Sequence, residues 1–207
     1  MNKIEFYLRN ANLKDLDEIM NVEVQSFSQN IQEEKSVFKQ RILTFNDGFL
    51  VFEADKSDLS KSNAEKFNAE NFAETKQKKI IGYFCTELWE KIPKTSQDFT
   101  LGHDIQKVHS ENGKILYISS FALLPDFRGN GNGKKLFTQS LNFFKSKLNF
   151  EKILLLVNEN WIPAKKIYLS CGFKEIFACK NIFLNDEKNV KTGLFTSDGI
   201  VMLLDLP

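Results

Sequence analysis

The chain has 207 residues, enough for one domain with a sizeable core. Its 28 basic and 27 acidic side chains nearly cancel, which argues against a nucleic-acid or anionic-membrane partner, and no apolar run approaches the ~20 residues that cross a bilayer. The opening MNKIEFYLRN lacks the apolar stretch of a signal peptide, and Cys85, Cys171 and Cys179 are an odd number without metal-ligand spacing, so a cytoplasmic protein with reduced thiols and no metal is expected.

In chain order, IEFYLR reads as a strand by the alternation of Ile4, Phe6 and Leu8. Asn12 followed three residues later by Asp15 resembles a capping box and predicts a helix from about Leu13, with Leu16, Ile19, Met20, Val24 and Phe27 near one face. A second helix is expected over 33–45, then a turn at FNDG and a strand at FLVFEA. Residues 55–79 are polar and carry the duplication NAEKF, NAENF. A period of five fits neither helix nor strand, so the stretch reads as a solvated insertion, with a substrate lid bearing Phe67 and Phe72 as the alternative. IIGYFCTELW (80–89) returns to strand character, and a loop over 90–113 carries His103 and His109. ILYISSFALL (115–124), a helix at 133–148, KILLLV (152–157), a helix at 163–171 and the strands FKEIFACKNIFL and GIVMLLDL follow. The uniformly apolar ILLLV predicts a central strand covered on both faces. The mixture points to one α/β domain, 1–207, with a mixed sheet. The 20 phenylalanines read as core material.

Gly129, Gly131 and Gly133 stand at every second position between a buried strand and an amphipathic helix marked by Phe137, Leu141, Phe144 and Leu148. A helix start offers unpaired N–H groups and a positive dipole end, and glycines allow φ > 0 and close approach to the backbone. Together these suit a phosphate or pyrophosphate. Two familiar phosphate loops do not fit. Three residues separate Gly129 from Gly133 where a P-loop has four, and position 134 is lysine where the dinucleotide pattern needs glycine.

FALLPDFRGNGNGKKL does resemble the acyl-CoA-binding signature of the GCN5-related N-acetyltransferases. In that family an apolar-Ala-apolar strand end runs into Pro, an aromatic, then Arg/Gln-x-x-Gly-x-Gly/Ala. The likeness extends to LRNANLKDLDEI, to AKKIYLSCGF and to GIVMLLDL. A looser likeness to the arylalkylamine N-acetyltransferases rests on GYFCTELWEK, the histidine-bearing loop and the signature strand. Where those enzymes carry paired histidines on that strand, this chain has Tyr117 and Ser119, and a frequent family Asn falls at Trp161, with Asn160 beside it.

The resemblance implies a GNAT-like single domain: a mixed, mostly antiparallel sheet splayed between 115–124 and 153–157, with helices on both faces. It implies acetyl-CoA as cosubstrate. Backbone N–H groups of Gly129, Asn130, Gly131, Asn132, Gly133 and Lys134 would hold its pyrophosphate, with charge from Arg128, Lys134 and Lys135. Phe121, Ala122 and Leu123 would pair by main chain with the pantetheine arm, Asn160 would contact it, and the Leu123 N–H would polarise the carbonyl. Tyr168 becomes the general acid. For the base, Glu87, Ser119 through a water, His103 and His109 stand open. No cysteine has a histidine beside it, so transfer is expected to be direct. The expected acceptor is a small-molecule amine, on a monomer or homodimer. The alternatives are a protein lysine or N-terminal amine and, from another class, a non-catalytic acyl-CoA-binding module.

Overall fold

The computed structural model describes residues 4–55, 78–96, 99–185 and 193–206. Seven strands form one sheet: β1 (Phe6–Asn10), β2 (Phe49–Asp55), β3 (Lys78–Trp89), β4 (Ile115–Leu123), β5 (Lys152–Asn158), β6 (Lys174–Leu184) and β7 (Thr196–Asp205). They lie in the order β1-β2-β3-β4-β5-β7-β6. Every neighbouring pair is antiparallel except β4 and β5. The helices are α1 (Leu16–Ser26), α2 (Lys35–Thr44), the short α3 (Ile105–Val108), α4 (Asn132–Lys147) and α5 (Ile162–Ser170). The expected insertion, with its duplication and with Phe67 and Phe72, falls almost wholly on 56–77, outside the described residues; its two ends belong to β2 and β3. No helix of the described residues is long and apolar enough to cross a membrane.

The expected elements appear at their places, with instructive shifts. Asn12 and Asp15 do form a reciprocal capping box: the Lys14 N–H donates to the Asn12 side chain and the Asn12 N–H to the Asp15 carboxylate. It caps a single 3-10 turn, and α1 begins three residues later than the capping pattern suggests. The buried face of α1 is Leu16, Ile19, Val22 and Glu23, whereas Val24, expected on it, is exposed. The helix is turned so that a carboxylate faces inward, and Tyr83 of β3 meets that carboxylate.

β5 is central, as its uniform apolar run requires. Ile153, Leu155 and Val157 enter the main core, and Leu154 enters a second cluster with Trp89, Phe99, Tyr117, Cys179 and Val201. In the main core Phe84 has Phe121, Phe137 and Phe144 within 5.3–5.5 Å, so α4 packs on one face of the sheet. Phe38 of α2 packs against Phe49 and Tyr83, on the other face.

The central feature is where the sheet opens. β4 and β5 pair only from Ile115↔Lys152 to Ile118↔Leu155. The next residue of β4, Ser119, is the extra residue of a bulge against β3, because Cys85 pairs with Ser120 and Thr86 with Ile118. A bulge bends its strand and increases local twist. β4 therefore leaves β5 at Ser119 while β5 stays paired to β7 as far as Asn158.

Candidate active site

The loop between β4 and α4 is built from backbone. Gly129, Asn130 and Gly131 have φ of 81°, 50° and 78°, three successive left-handed residues. Such a run turns consecutive N–H groups toward one concavity, and it explains two of the three glycines by conformation. The third has a different cause: a Cβ on Gly133 would stand 3.1 Å from Ile167 Cδ1, so this glycine lets α4 approach α5. The Lys135 N–H is the first to reach back four residues, to Gly131, which leaves those of Gly133 and Lys134 outside the helical ladder. Arg128 Nε donates to the Leu123 carbonyl at 2.8 Å and ties the loop to the strand end.

Beside this loop lies a cleft of about 620 Å³ between the diverging halves of β4 and β5. Its walls include Ser119 to Leu123, Leu155 to Val157, Arg128, Gly129, Gly131, Gly133 and Lys134, and Asn160, Pro163, Ala164, Ile167 and Tyr168. The Leu124 N–H donates to Ile81 in β3. Antiparallel alternation then turns the amides of Leu123 and Phe121 away from β3, to the open edge. That edge offers main-chain pairing to an extended ligand at the floor of the cleft. The Tyr168 hydroxyl is hydrogen-bonded to no described residue, and its ring packs on Phe137 and Phe173 at 5.0 and 6.0 Å. Burial holds it well above the ordinary tyrosine range, so it carries its proton at neutral pH.

The far end of the cleft is built from side chains. Glu23 and Glu33 line it, with Ser26, Phe27, Ile31, Leu101, Tyr117, Trp161 and Phe183. Glu23 accepts from the Tyr83 hydroxyl and, at 2.8 Å, from the Glu33 N–H. Tyr83 lies 2.9 Å from the Ser120 hydroxyl, completing a line Ser120–Tyr83–Glu23. Burial pushes Glu23 up to about 7, against the lowering effect of these bonds. Sequence reasoning missed it because Glu23 sits in an amphipathic stretch where an acidic residue reads as solvated surface. Its one signal was the tyrosine of the GYFC strand, which needs a buried partner.

Other expected site residues are placed differently. Glu87 does not line the cleft. It is fully buried, with both oxygens 2.8 Å from His103 Nε2, a bond from Trp89 Nε1 at 3.0 Å, and Arg41 Nε 3.7 Å away. Burial alone would raise it, but His103, Arg41 and Trp89 together hold it below its ordinary value, and both of its oxygens are hydrogen-bonded away from the cleft. His109 is occupied too, its Nδ1 accepting the Leu88 N–H and its ring lying 4.3 Å from Phe45. The Ser119 hydroxyl donates to the Cys85 carbonyl at 3.2 Å, stitching the bulge, although Ser119 remains in the cleft wall. Asn130 and Asn132 are absent from the wall; Asn130 takes the left-handed turn, and the Asn132 amide donates to the Phe127 carbonyl. The Lys135 ammonium lies over the Phe6 ring instead of at the cleft.

Comparisons with known proteins agree with this geometry. A curated N-alpha-acetyltransferase of Sulfurisphaera tokodaii is 23% identical over 183 residues, 88% of this chain and 89% of that protein. Among solved structures, the loading GNATL domain of CurA from Lyngbya majuscula superposes with a TM-score of 0.69 at 15% identity, over 97% of this chain and 98% of that one. Arabidopsis thaliana NAA60, solved with a bisubstrate analogue, superposes with a TM-score of 0.62 at 15% identity, over 97% and 98%. Residues 33–173, which include the glycine loop and both diverging strands, match the model of the acetyltransferase (GNAT) family; the chain belongs to that family and is an acyltransferase.

Proposed function

We propose that this protein moves the acetyl group of acetyl-CoA directly to the α-amine of a peptide with apolar first residues. The observation that carries the reading is the length of the cleft. Past Glu23 it runs into a second cavity of about 320 Å³, and the two share Ser26, Phe27, Ile31 and Trp161. Ser28, Asn158, Leu184 and Asn185 complete that trough. Phe27 and Trp161, and Trp161 and Phe183, stand 5.5 Å apart, an aromatic wall for apolar side chains where the cleft enters the trough, which Ser26, Ser28, Asn158 and Asn185 make half polar, as a peptide main chain requires. A small amine would leave the trough empty. The name of the archaeal relative, an N-alpha-acetyltransferase, supports the same order of preference. The small-molecule acceptor thereby becomes the second reading.

Each step has a residue. The glycine loop and the edge of β4 hold the cosubstrate, and the Leu123 N–H polarises the thioester carbonyl. The Glu23 carboxylate takes one proton from the bound ammonium, and the neutral amine nitrogen then attacks that carbon. An α-amine (pKa ~7.7–8.0) is far closer to Glu23 than a lysine (pKa ~10.4), so the transfer to Glu23 is nearly balanced only for the α-amine. The C–S bond then breaks, its electron pair goes to sulfur, the Tyr168 hydroxyl donates to the departing thiolate, and the second proton shed by the nitrogen restores that hydroxyl. Thiol release from acetyl-CoA tests the reading. Peptides with free α-amines and apolar starts are expected to support it, and Nα-blocked copies containing lysine are not. Release with arylalkylamines alone would restore the small-molecule reading, and release with blocked peptides would indicate lysine.

A further inference from the structure

The mechanism above leaves a buried charge network unused. Arg41 of α2 is 1% exposed; its two terminal nitrogens fork onto the Glu33 carboxylate. Its Nε has no hydrogen-bond partner and stands 3.7 Å from Glu87. Glu87 in turn holds His103 Nε2, and His103 Nδ1 lies 2.9 Å from the Thr100 carbonyl. Carboxylate and carbonyl both only accept, so the doubly protonated imidazolium is the form that satisfies both contacts. Glu33, Arg41, Glu87 and His103 then alternate in sign and sum to zero, whereas a neutral His103 leaves one buried negative charge uncompensated.

The network ends at the cleft. Phe99 and Ile105 are buried anchors, 2% and 1% exposed. Between them, residues 100–104 are tied down by the Gly102 N–H on Glu33 Oε1 at 3.3 Å and by His103 on Glu87. Leu101, in the middle of this segment, lines the acceptor end together with Glu33.

We infer that His103 is a positioning residue for the acceptor: through Glu87, Arg41 and Glu33 its imidazolium holds Leu101 and Glu33 against the acceptor end of the cleft, and its deprotonation loosens that wall. The inference rests on the acceptor-end reading above. The groups facing His103 are Glu87 and Trp89 from β3, Arg41 from α2, Tyr117 from β4 and the Thr100 carbonyl of its own segment. Burial and the Arg41 charge favour the neutral ring; the Glu87 hydrogen bond and charge, with Thr100, outweigh them and raise His103 above its ordinary 6.5. The wall is therefore complete below about pH 6.5 and loosens as pH rises through that raised value.

The test separates acceptor from cosubstrate. Michaelis constants for a peptide acceptor and for acetyl-CoA would be measured from pH 6 to 9 in the wild type, His103→Gln and His103→Ala. Loss of a charge-assisted hydrogen bond corresponds to about a tenfold change. Glu23 and the α-amine titrate alike in all three proteins, so the ratio of variant to wild-type KM isolates His103. For the acceptor that ratio should be about tenfold at pH 6 in His103→Ala, smaller in His103→Gln, and should fall toward one as pH rises, while for acetyl-CoA it stays near one throughout. Hydrogen exchange gives an arm that needs no acceptor: protection of residues 100–104, corrected for intrinsic rates, should fall with pH in the wild type and be low throughout in His103→Ala. An unchanged acceptor KM in His103→Ala, an equal shift in the acetyl-CoA KM, or protection independent of pH overturns the inference. Failure of the peptide reading has another signature, no thiol release with the exchange pattern intact.

Discussion

The two ends of the cleft are made of different material. At the glycine loop the walls are backbone: three left-handed residues, two helix N–H groups outside the ladder, and the free edge of β4. At the far end the walls are side chains brought from α1, the α1–α2 segment, β4, β6, the turn before α5 and the 99–104 segment, with Glu23 and Glu33 backed by the buried Tyr83, Arg41 and Glu87. A backbone site holds one fixed ligand class and needs little from the residues around it. A side-chain site is retuned one residue at a time. The contrast fits an enzyme whose donor is common to a family and whose acceptor is its own.

The contrast can be broken by substitution. The largest effect is expected at Tyr168, which borders the donor end yet acts through its side chain. Tyr168→Phe keeps the contacts with Phe137 and Phe173, so CoA affinity by calorimetry should hold. Turnover should fall by ~10²–10⁴, equivalent to roughly 3–5 kcal/mol in the barrier. Near-normal turnover would make Tyr168 a packing residue. A smaller effect is expected within the loop itself. Gly131→Val forces a β-branched residue to φ 78°, costs about 1–2 kcal/mol of strain, and should abolish the rise in Tm that CoA produces in the wild type. Gly133→Ala has no such backbone conflict and meets one flexible methyl of Ile167. Its effect should stay below ~1 kcal/mol, with the CoA-induced rise in Tm retained. Equal behaviour of the two variants would contradict the separate causes assigned to these glycines.

The same contrast decides what was legible in the sequence. Alternation, capping and the ILLLV run placed the strands and helices to within a few residues, because each signal is local. The loop end of the cleft was legible for the same reason: Arg128 to Lys134 are contiguous, and Arg128, Gly129, Gly131, Gly133 and Lys134 line the cleft wall. The acceptor end was not. Glu87 and His103 both looked like candidates for a base, and each turned out to be the other's partner, 2.8 Å apart and outside the cleft wall. Only the fold shows that Glu23 meets the tyrosine that holds it, across sixty residues of chain. Ser119 was noticed for its hydroxyl, yet its larger consequence is the bulge that opens the sheet.

The account depends most on Glu23 as the group that takes the acceptor's proton, and the pH dependence of kcat in wild type and Glu23→Gln tests it directly. Two peptide acceptors whose α-amines differ in pKa would be used at saturation, so that the profile belongs to the bound complex. The wild type should show the same ascending limb near pH 7 with both, since burial sets Glu23 at about 7. Glu23→Gln should lose that limb and turn over at least ~10²-fold more slowly at pH 7.5, with CoA affinity unchanged. A limb that survives in Glu23→Gln, or that follows the amine of the acceptor in the wild type, would contradict the account.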